Sequence, residues 1–265
     1  MAKNLNFFKN KIKEAWPDQD DISTEFIFYL KEKLYLSDVS IYVDNYLLSK
    51  DEEDSINKFI LLKKEGVPID YILEKSSFFG NNFYVDSRVL IPRPETELLV
   101  DFINKLNLQS SKIVIDAGTG SGCIGISIAI QNPNIKVYGL DFSKEALVVA
   151  NKNKKSLKVE NFVTVHSNWL SKIKNASCDL IVSNPPYISS EDEHLRDLTH
   201  EPLVALAALN NGLADFETIS SQATLKLVRG GMLAFEHGFN QKSQVSKIMK
   251  KNGFKNIETS KLEIL

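Results

Sequence analysis

Residues 112–125 read KIVIDAGTGSGCIG. An apolar run ending in Asp116 gives way to glycines at every second position, Gly118, Gly120 and Gly122. The chain then turns helix-like through Cys123-Ile124-Gly125-Ile126. A short apolar run bounded by glycine marks a buried strand. Glycines in turn let the backbone bend sharply and approach a ligand closely. The stretch therefore predicts a strand, a cofactor loop and a helix at the carboxyl end of a parallel sheet. Alone, GxGxG does not separate dinucleotide sites from others. Asp141 closes the next strand, VYGLD, 25 residues after Asp116, where its carboxylate can take both hydroxyls of a ribose. Asp116 would repel a pyrophosphate and suits a sulfonium or amino group, which favours S-adenosyl-L-methionine over NAD. His166-Ser167-Asn168-Trp169 ends the third strand, a place to hold adenine by hydrogen bonding and stacking, although Trp169 could equally be an aromatic at the core edge.

Further along, residues 178–187 read CDLIVSNPPY. Leu180-Ile181-Val182 is another buried strand, and it must stop at Asn184-Pro185-Pro186-Tyr187. Proline has no N–H for a ladder, fixes its own φ and pushes the preceding residue to extended geometry. A stiff turn at the carboxyl end of such a strand is where open α/β sheets bind ligands. Asn184 carries an amide with both acceptor and donor, and Tyr187 an aromatic face, so the turn could grip a small planar group bearing an NH2. The plainer alternative is a loop that only ends a strand.

From residue 96 onward, strand-like and helix-like runs alternate. Strands are expected at 112–117, 135–140, 162–166, 180–183 and 232–236, with a last one near 257–265. Helices are expected near 121–131, 143–155, 215–228 and 241–251. Such alternation predicts an α/β fold, a Rossmann-like, mostly parallel, doubly wound sheet. Residues 191–213 form a long connection after the proline turn, the kind that serves as a lid or substrate guide. Residues 76–95, SSFFGNNFYVDSRVLIPRPE, alternate aromatic and polar residues around Gly80-Asn81-Asn82, which predicts a β-hairpin. Glu95-Thr96-Glu97 then starts a helix with acids in its first turn. Residues 1–75 read as helical: Phe26, Ile27, Leu30, Leu34 and Tyr35 recur at helical spacing. So do Ile56, Phe59 and Ile60, widened by Leu61 and Leu62. Three segments follow: a helical substrate-docking domain at 1–75, a hairpin linker at 76–95 and a catalytic domain at 96–265.

Bulk composition is that of an ordinary globular chain, 43% hydrophobic and 25% charged. No apolar run is long enough to span a bilayer and the amino terminus is not a secretory signal, so a cytoplasmic protein away from membranes is expected. Cys123 and Cys178 sit in apolar runs and read as unpaired thiols, and no Cys/His cluster has metal spacing. The net charge is -2, with four Arg in the chain, and residues 1–75 hold 11 Lys and no Arg against 15 Asp plus Glu. That balance argues against gripping nucleic acid through phosphates and for a protein partner. A monomer is expected.

DAGTGSG, the acid at Asp141 and the NPPY turn together resemble class I S-adenosylmethionine-dependent methyltransferases, and NPPY resembles those acting on a planar nitrogen. GVPIDYIL at 66–73, FFGNNFYVDSRVLIPRPETELLV at 78–100, SNPPYI at 183–188, EPLVAL at 201–206 and EHG at 236–238 resemble the HemK/PrmC-type peptide chain release factor glutamine methyltransferases. The resemblance implies a helical bundle before the methyltransferase domain, and methylation of the side-chain amide nitrogen (N5) of the glutamine in the Gly-Gly-Gln motif of release factors, a step in translation termination. It also implies that Gly118, Thr119, Gly120, Ser121 and Gly122 line the methionine part of the cofactor, with Asp141 at the ribose and Asn168 and Trp169 at the adenine. Asn184 would face both cofactor and substrate, and Asn184, Pro185, Pro186 and Tyr187 would hold the glutamine. The chain departs from the family pattern at Asn168, where aspartate is usual, and at Asp197-Leu198-Thr199-His200. It also lacks the Asp-x-x-Gly-x-x-Arg run with which the family normally ends.

An amide nitrogen is a poor nucleophile, so such a site would work by position and electrostatics. Asn184, Pro185 and Tyr187 are the expected catalytic residues: the Asn184 oxygen and the Pro185 carbonyl would each accept an amide hydrogen while Tyr187 flanks the group. Two rivals remain, an N6-adenine methyltransferase acting on DNA or RNA and a non-catalytic cofactor-binding protein.

Overall fold

The computed structural model describes residues 3–17, 19–43, 46–106, 108, 112–189, 191–192, 195 and 198–259. The chain divides into two compact units, Met1–Lys75 and Ser76–Leu265.

The first unit is helical: α1 Leu5–Ala15, α2 Asp20–Lys33, α3 Asp38–Tyr42, α4 Lys50–Lys64 and α5 Ile69–Leu73. Side chains satisfy the free N–H groups at three helix starts. Asn4 caps α1, Ser37 caps α3, and Ser49 with Glu52 makes a reciprocal capping box on α4. The acidic run Asp51–Glu53 occupies the first turn of α4, where the helix dipole favours carboxylates. The core packs Phe8, Phe26, Tyr29, Leu30, Ile56, Phe59 and Ile60 together, with the Phe59 ring 4.7 Å from Tyr29 and 5.4 Å from Phe26. The buried stripe of α2 is Ile22, Phe26, Tyr29 and Leu30. Tyr35 lies beyond the helix end at φ 55° and is exposed, as is Leu61, so neither widens its stripe as expected.

The second unit opens with a hairpin, β1 Ser76–Phe78 and β2 Asn81–Phe83. Its turn is Phe79-Gly80, one residue earlier than the expected Gly80-Asn81-Asn82, and both residues take positive φ, as a tight turn matching strand twist requires. A 3-10 turn at Pro94–Thr96 leads into α6 Glu97–Lys105. Then come β3 Ile113–Ala117, α7 Cys123–Gln131, β4 Lys136–Asp141, α8 Lys144–Ser156, β5 Phe162–His166 and β6 Cys178–Ser183. After these lie two-residue strands β7 Ile188–Ser189 and β8 Ala207–Ala208, a one-turn α9 Leu209–Gly212, α10 Ala214–Lys226, β9 Leu227–Phe235 and α11 Lys242–Lys251.

The central sheet has the order β5-β4-β3-β6-β9 and every pairing in it is parallel. Successive side chains of a strand face opposite sides. Val114, Leu180 and Val182 therefore join a core with α6 and α7 on one face, while Ile115 and Ile181 join Ile219 and Ala223 of α10 on the other. Burial on both faces explains why these strands read as continuous apolar runs. Strand order reverses between β3 and β6, the switch point at which ligands bind beyond the strand ends.

Two strands differ from expectation. β9 begins at Leu227, because its pairing with β6 is irregular between Cys178 and Leu180 and accommodates the Val228–Gly231 bulge. The last expected strand, near 257–265, is absent through residue 259, and residues 260–265 lie outside those described. The long connection carries β8, which pairs in parallel with β7 just before it.

Buried Asn153 of α8 ties three segments together. Its Oδ1 accepts from Tyr84 N at 2.6 Å, and its Nδ2 donates to Tyr84 O at 2.9 Å and Ser121 O at 2.8 Å. Replacing it with an apolar residue strands those backbone groups, at roughly 1–3 kcal/mol for each one left unsatisfied. Asn153→Leu should therefore cost about 3 kcal/mol in urea denaturation, and a loss below about 1 kcal/mol would contradict this role.

Candidate active site

Both signature turns leave the sheet at its switch point. The glycine loop follows β3 and the proline turn follows β6, and the buried Ser183 hydroxyl donates to Ala117 O at 2.6 Å across the two strand ends. That bond fixes the spacing between Gly118 and Asn184, each one residue beyond it. No periodicity marked Ser183 in the sequence; its position just before the turn is the only signal.

Within the glycine loop, Gly118, Gly120 and Gly122 all take positive φ. A Cβ at Gly118 would sit 3.2 Å from the Trp169 ring in addition to straining the backbone at φ +77°. The loop is held from outside. Asp141 Oδ2 accepts from Gly120 N at 2.9 Å and its Oδ1 from Ser143 N at 2.9 Å. Asp116 is fully buried beneath the loop, and its Oδ2 accepts from Thr119 Oγ1 at 2.6 Å and Gly125 N at 2.9 Å. Its charge was expected to face a sulfonium or amino group. Instead it is enclosed, shaping the turn from below, with Oδ1 unpartnered. Thr119 and Ser121 are buried in the same framework.

Trp169 lies over this loop in a left-handed conformation, φ 45°. Such a conformation costs an ordinary residue on the order of 1–3 kcal/mol and persists only where its surroundings impose it. Here Ser167 Oγ donates to Trp169 O at 2.7 Å, and Leu170 N donates to Gln222 Oε1 at 2.8 Å. Asn168 precedes Trp169 and is exposed. Phe142, next to Asp141, presents an exposed ring tilted against His166, and the sequence reading did not single it out.

In the proline turn, Pro185 is buried while Asn184, Pro186 and Tyr187 are half-buried. Asn184 Nδ2 donates to Thr96 Oγ1 at 3.1 Å. The Tyr187 hydroxyl points at Glu236 Oε1, 3.5 Å away. Below the turn, buried Gln241 donates from Nε2 to Tyr187 O at 2.9 Å and accepts from Gly238 N at 3.0 Å. Gly212 must be glycine there, because a Cβ would approach Tyr187 O to 2.1 Å at φ +78°. The Arg93 guanidinium pairs with the buried Glu201 carboxylate, whose other oxygen accepts from Ile91 N at 3.0 Å. This pair joins the IPRPE segment to EPLVAL. Of the residues flagged before Glu201, Asp197 lies outside those described.

Burial dominates the electrostatics. It raises the Asp116 carboxyl to about 6, against the lowering effect of Thr119 and Gly125. It also raises Asp141, against backbone donors from Ser143 and Gly120, and Glu236, against polar hydrogens of Thr96, Tyr187 and Asn184. Tyr187 is pushed up to about 12 by burial and by the Glu236 charge. Cys123 and Cys178 are buried free thiols raised by burial to about 12 and about 11. Among the described residues no group of three or more His, Cys, Asp or Glu could hold a metal, and no helix is long and apolar enough to cross a membrane.

A parallel sheet of this order, with a glycine loop and a proline turn meeting at the switch point, defines a Rossmann-like methyltransferase. The family described as Methyltransferase small domain matches residues 94–257. A methyltransferase of Pyrococcus furiosus has the same fold, with a TM-score of 0.53 at 16% identity over 82% of this chain and 93% of that one. The release factor glutamine methyltransferase of Coxiella burnetii is 36% identical over 79% of this chain and 76% of its own length. The one from Buchnera aphidicola subsp. Schizaphis graminum is 34% identical over 97% of this chain and 94% of its own. The chain belongs to the release factor glutamine methyltransferase family.

Membership makes S-adenosylmethionine the methyl donor, and the residues present fit it. Glycine backbone lies open at Gly120, where a Cβ would meet nothing within 4 Å. Asp141 supplies a carboxylate beside it, and Trp169 and Phe142 supply aromatic surface at the neighbouring strand ends.

These raised carboxyls set a pH dependence. A carboxyl whose folded pKa exceeds its unfolded one contributes stability that is complete below the unfolded value and lost as pH rises through the folded value. For Asp116, moving from 3.8 to about 6, the loss is roughly 3 kcal/mol. Asp86, held near 2 by Arg88, acts in the opposite direction but only at lower pH. The melting temperature should therefore fall as pH is raised from about 4 to about 6, and Asp116→Asn should flatten part of that slope, Asp141 and Glu236 keeping the rest. A melting temperature that rises over this interval would refute the assignment.

Proposed function

We propose that this chain transfers a methyl group to the side-chain amide nitrogen, N5, of the glutamine in the Gly-Gly-Gln motif of peptide chain release factors. The observation that carries the reading is Asn184 at the switch point, its amide NH2 already engaged by Thr96 so that its oxygen remains to accept from another amide. When bound, S-adenosylmethionine supplies an electrophilic methyl group. Asn184 Oδ1 and the Pro185 carbonyl each accept one hydrogen of the glutamine amide, which orients the nitrogen and stabilises the positive charge that grows on it. Pro186 stiffens the turn, and Tyr187, anchored through its carbonyl by Gln241, flanks the planar group. No strong base is needed, because a methylated, protonated amide is acidic enough to lose its proton to water.

Gly118, Thr119, Gly120, Ser121 and Gly122 would line the methionine part of the donor, with Asp141 at the ribose hydroxyls and Asn168 and Trp169 at the adenine. Asn184 would face the donor as well. The acidic helical unit, residues 1–75, would dock the release factor, and the protein would act in the cytoplasm. Action on nucleic acid is not favoured: the relatives named above carry release factors in their names, and the net charge of -2 offers little to a phosphate backbone.

With methyl-labelled donor, label should enter a purified release factor and not DNA or RNA. Asn184→Ala should lower turnover by about 100-fold or more while donor affinity, read by calorimetry, changes by less than about tenfold. Full activity in that variant would overturn the reading.

A further inference from the structure

The Asn184 side chain can serve as an acceptor for a substrate amide only if its own NH2 is turned away from the substrate. Oxygen and nitrogen of a carboxamide are nearly isosteric, so the surroundings must choose the orientation. Two polar groups near Asn184 belong to neither signature turn. Thr96 lies in the 3-10 turn Pro94–Thr96, is 2% exposed, and has its N–H bonded to Arg93 O at 3.0 Å. Glu236 follows β9, its N–H donating to Ser183 O at 3.0 Å, which extends the β6–β9 ladder by one step and sets it beside Asn184. Thr96 Oγ1 accepts the Asn184 NH2 at 3.1 Å. Glu236 Oε1 lies 3.5 Å from the Tyr187 hydroxyl, the polar hydrogens of Thr96 and Asn184 act on its carboxylate, and its Oε2 is buried with no hydrogen-bond partner.

We propose that Thr96 and Glu236 act together as positioning residues that lock the Asn184 amide with its NH2 toward the protein and its oxygen toward the substrate. This rests on the reading of Asn184 given above. A carboxylate is acceptor-only, so the Thr96 hydroxyl is drawn to donate toward Glu236, which leaves its lone pairs for Asn184. Turning the Asn184 amide over would aim its oxygen at the Glu236 carboxylate and at the Thr96 lone pairs. It would also present NH2 to a substrate amide that itself offers two hydrogens. The lock therefore selects acceptor geometry before any substrate arrives, which is preorganisation of the site. Glu95 also neighbours Glu236 electrostatically, and it adds to the negative field that repels an inward-facing oxygen.

The test compares Thr96→Val, Thr96→Ser and Glu236→Gln in the full chain, with a purified release factor and labelled S-adenosylmethionine. Thr96→Val removes the hydroxyl at nearly constant shape and should lower kcat by about 10- to 100-fold, with the dissociation constant of the donor within about twofold of the parent. Thr96→Ser restores the hydroxyl and should recover most of the rate. Glu236→Gln can donate as well as accept and should fall between them. A readout free of turnover accompanies these. In 15N-labelled protein the Asn184 side-chain NH2 should exchange slowly with water in the parent and in Thr96→Ser, and quickly in Thr96→Val. Equal kcat in Thr96→Val and parent, a Thr96→Ser variant as slow as Thr96→Val, or identical exchange in all three would overturn the proposal. A parent protein that shows the slow Asn184 signal but leaves the release factor unlabelled would instead sink the substrate assignment and leave the lock standing.

Discussion

The parallel pairing of β3 with β6, closed at its carboxyl end by the Ser183–Ala117 hydrogen bond, is the constraint on which the site depends. A switch point opens a crevice in any doubly wound sheet. Here it also sets the distance between two turns of opposite character. One is a glycine loop whose positive φ values favour glycine, and the other is a turn stiffened by two prolines. Neighbouring groups then hold each turn: Asp141 and Asp116 around the glycine loop, Thr96, Glu236 and Gln241 around the proline turn.

Carboxylates are concentrated in this support, and burial raises Asp116, Asp141 and Glu236 alike. Buried charge opposes folding unless it is matched by donors. For Asp116 and Asp141 the donors are Thr119 Oγ1 and the backbone N–H groups of Gly120, Gly125 and Ser143, so the bonds that limit the electrostatic cost also help to define the glycine-loop geometry. The unpartnered oxygens of Asp116 and Glu236 mark where this matching is incomplete. Both lie at the site, where local rules of polar satisfaction are most often relaxed.

Much of this was legible in the sequence because the relevant signals are local. The alternating strands and helices, the glycine loop and the NPPY turn rest on runs of fewer than about ten residues, and apart from the early start of β9 and the strand expected near 257–265 they appear where composition placed them. What the sequence concealed was long-range. Nothing near Asn153 indicates that it staples Tyr84 and Ser121. Nothing near Gln241 indicates that it holds Tyr187, and Thr96 read only as part of a helix start. The enclosure of Asp116 escaped because strand periodicity gives the face on which a side chain lies, not whether the following loop folds over it. The extended start of β9 was hidden because residues 227–228 read as the end of a helix, and the irregular pairing that follows gives no strand period.

The central claim is that the crevice between the two turns accepts a protein glutamine. Tandem mass spectrometry of a release factor co-expressed with this chain tests it most directly. The account predicts one added methyl group, located on the side chain of the Gly-Gly-Gln glutamine, and its absence when the chain carries Asn184→Ala. An unmodified glutamine beside the active parent, or a methyl group placed on another residue, would contradict it.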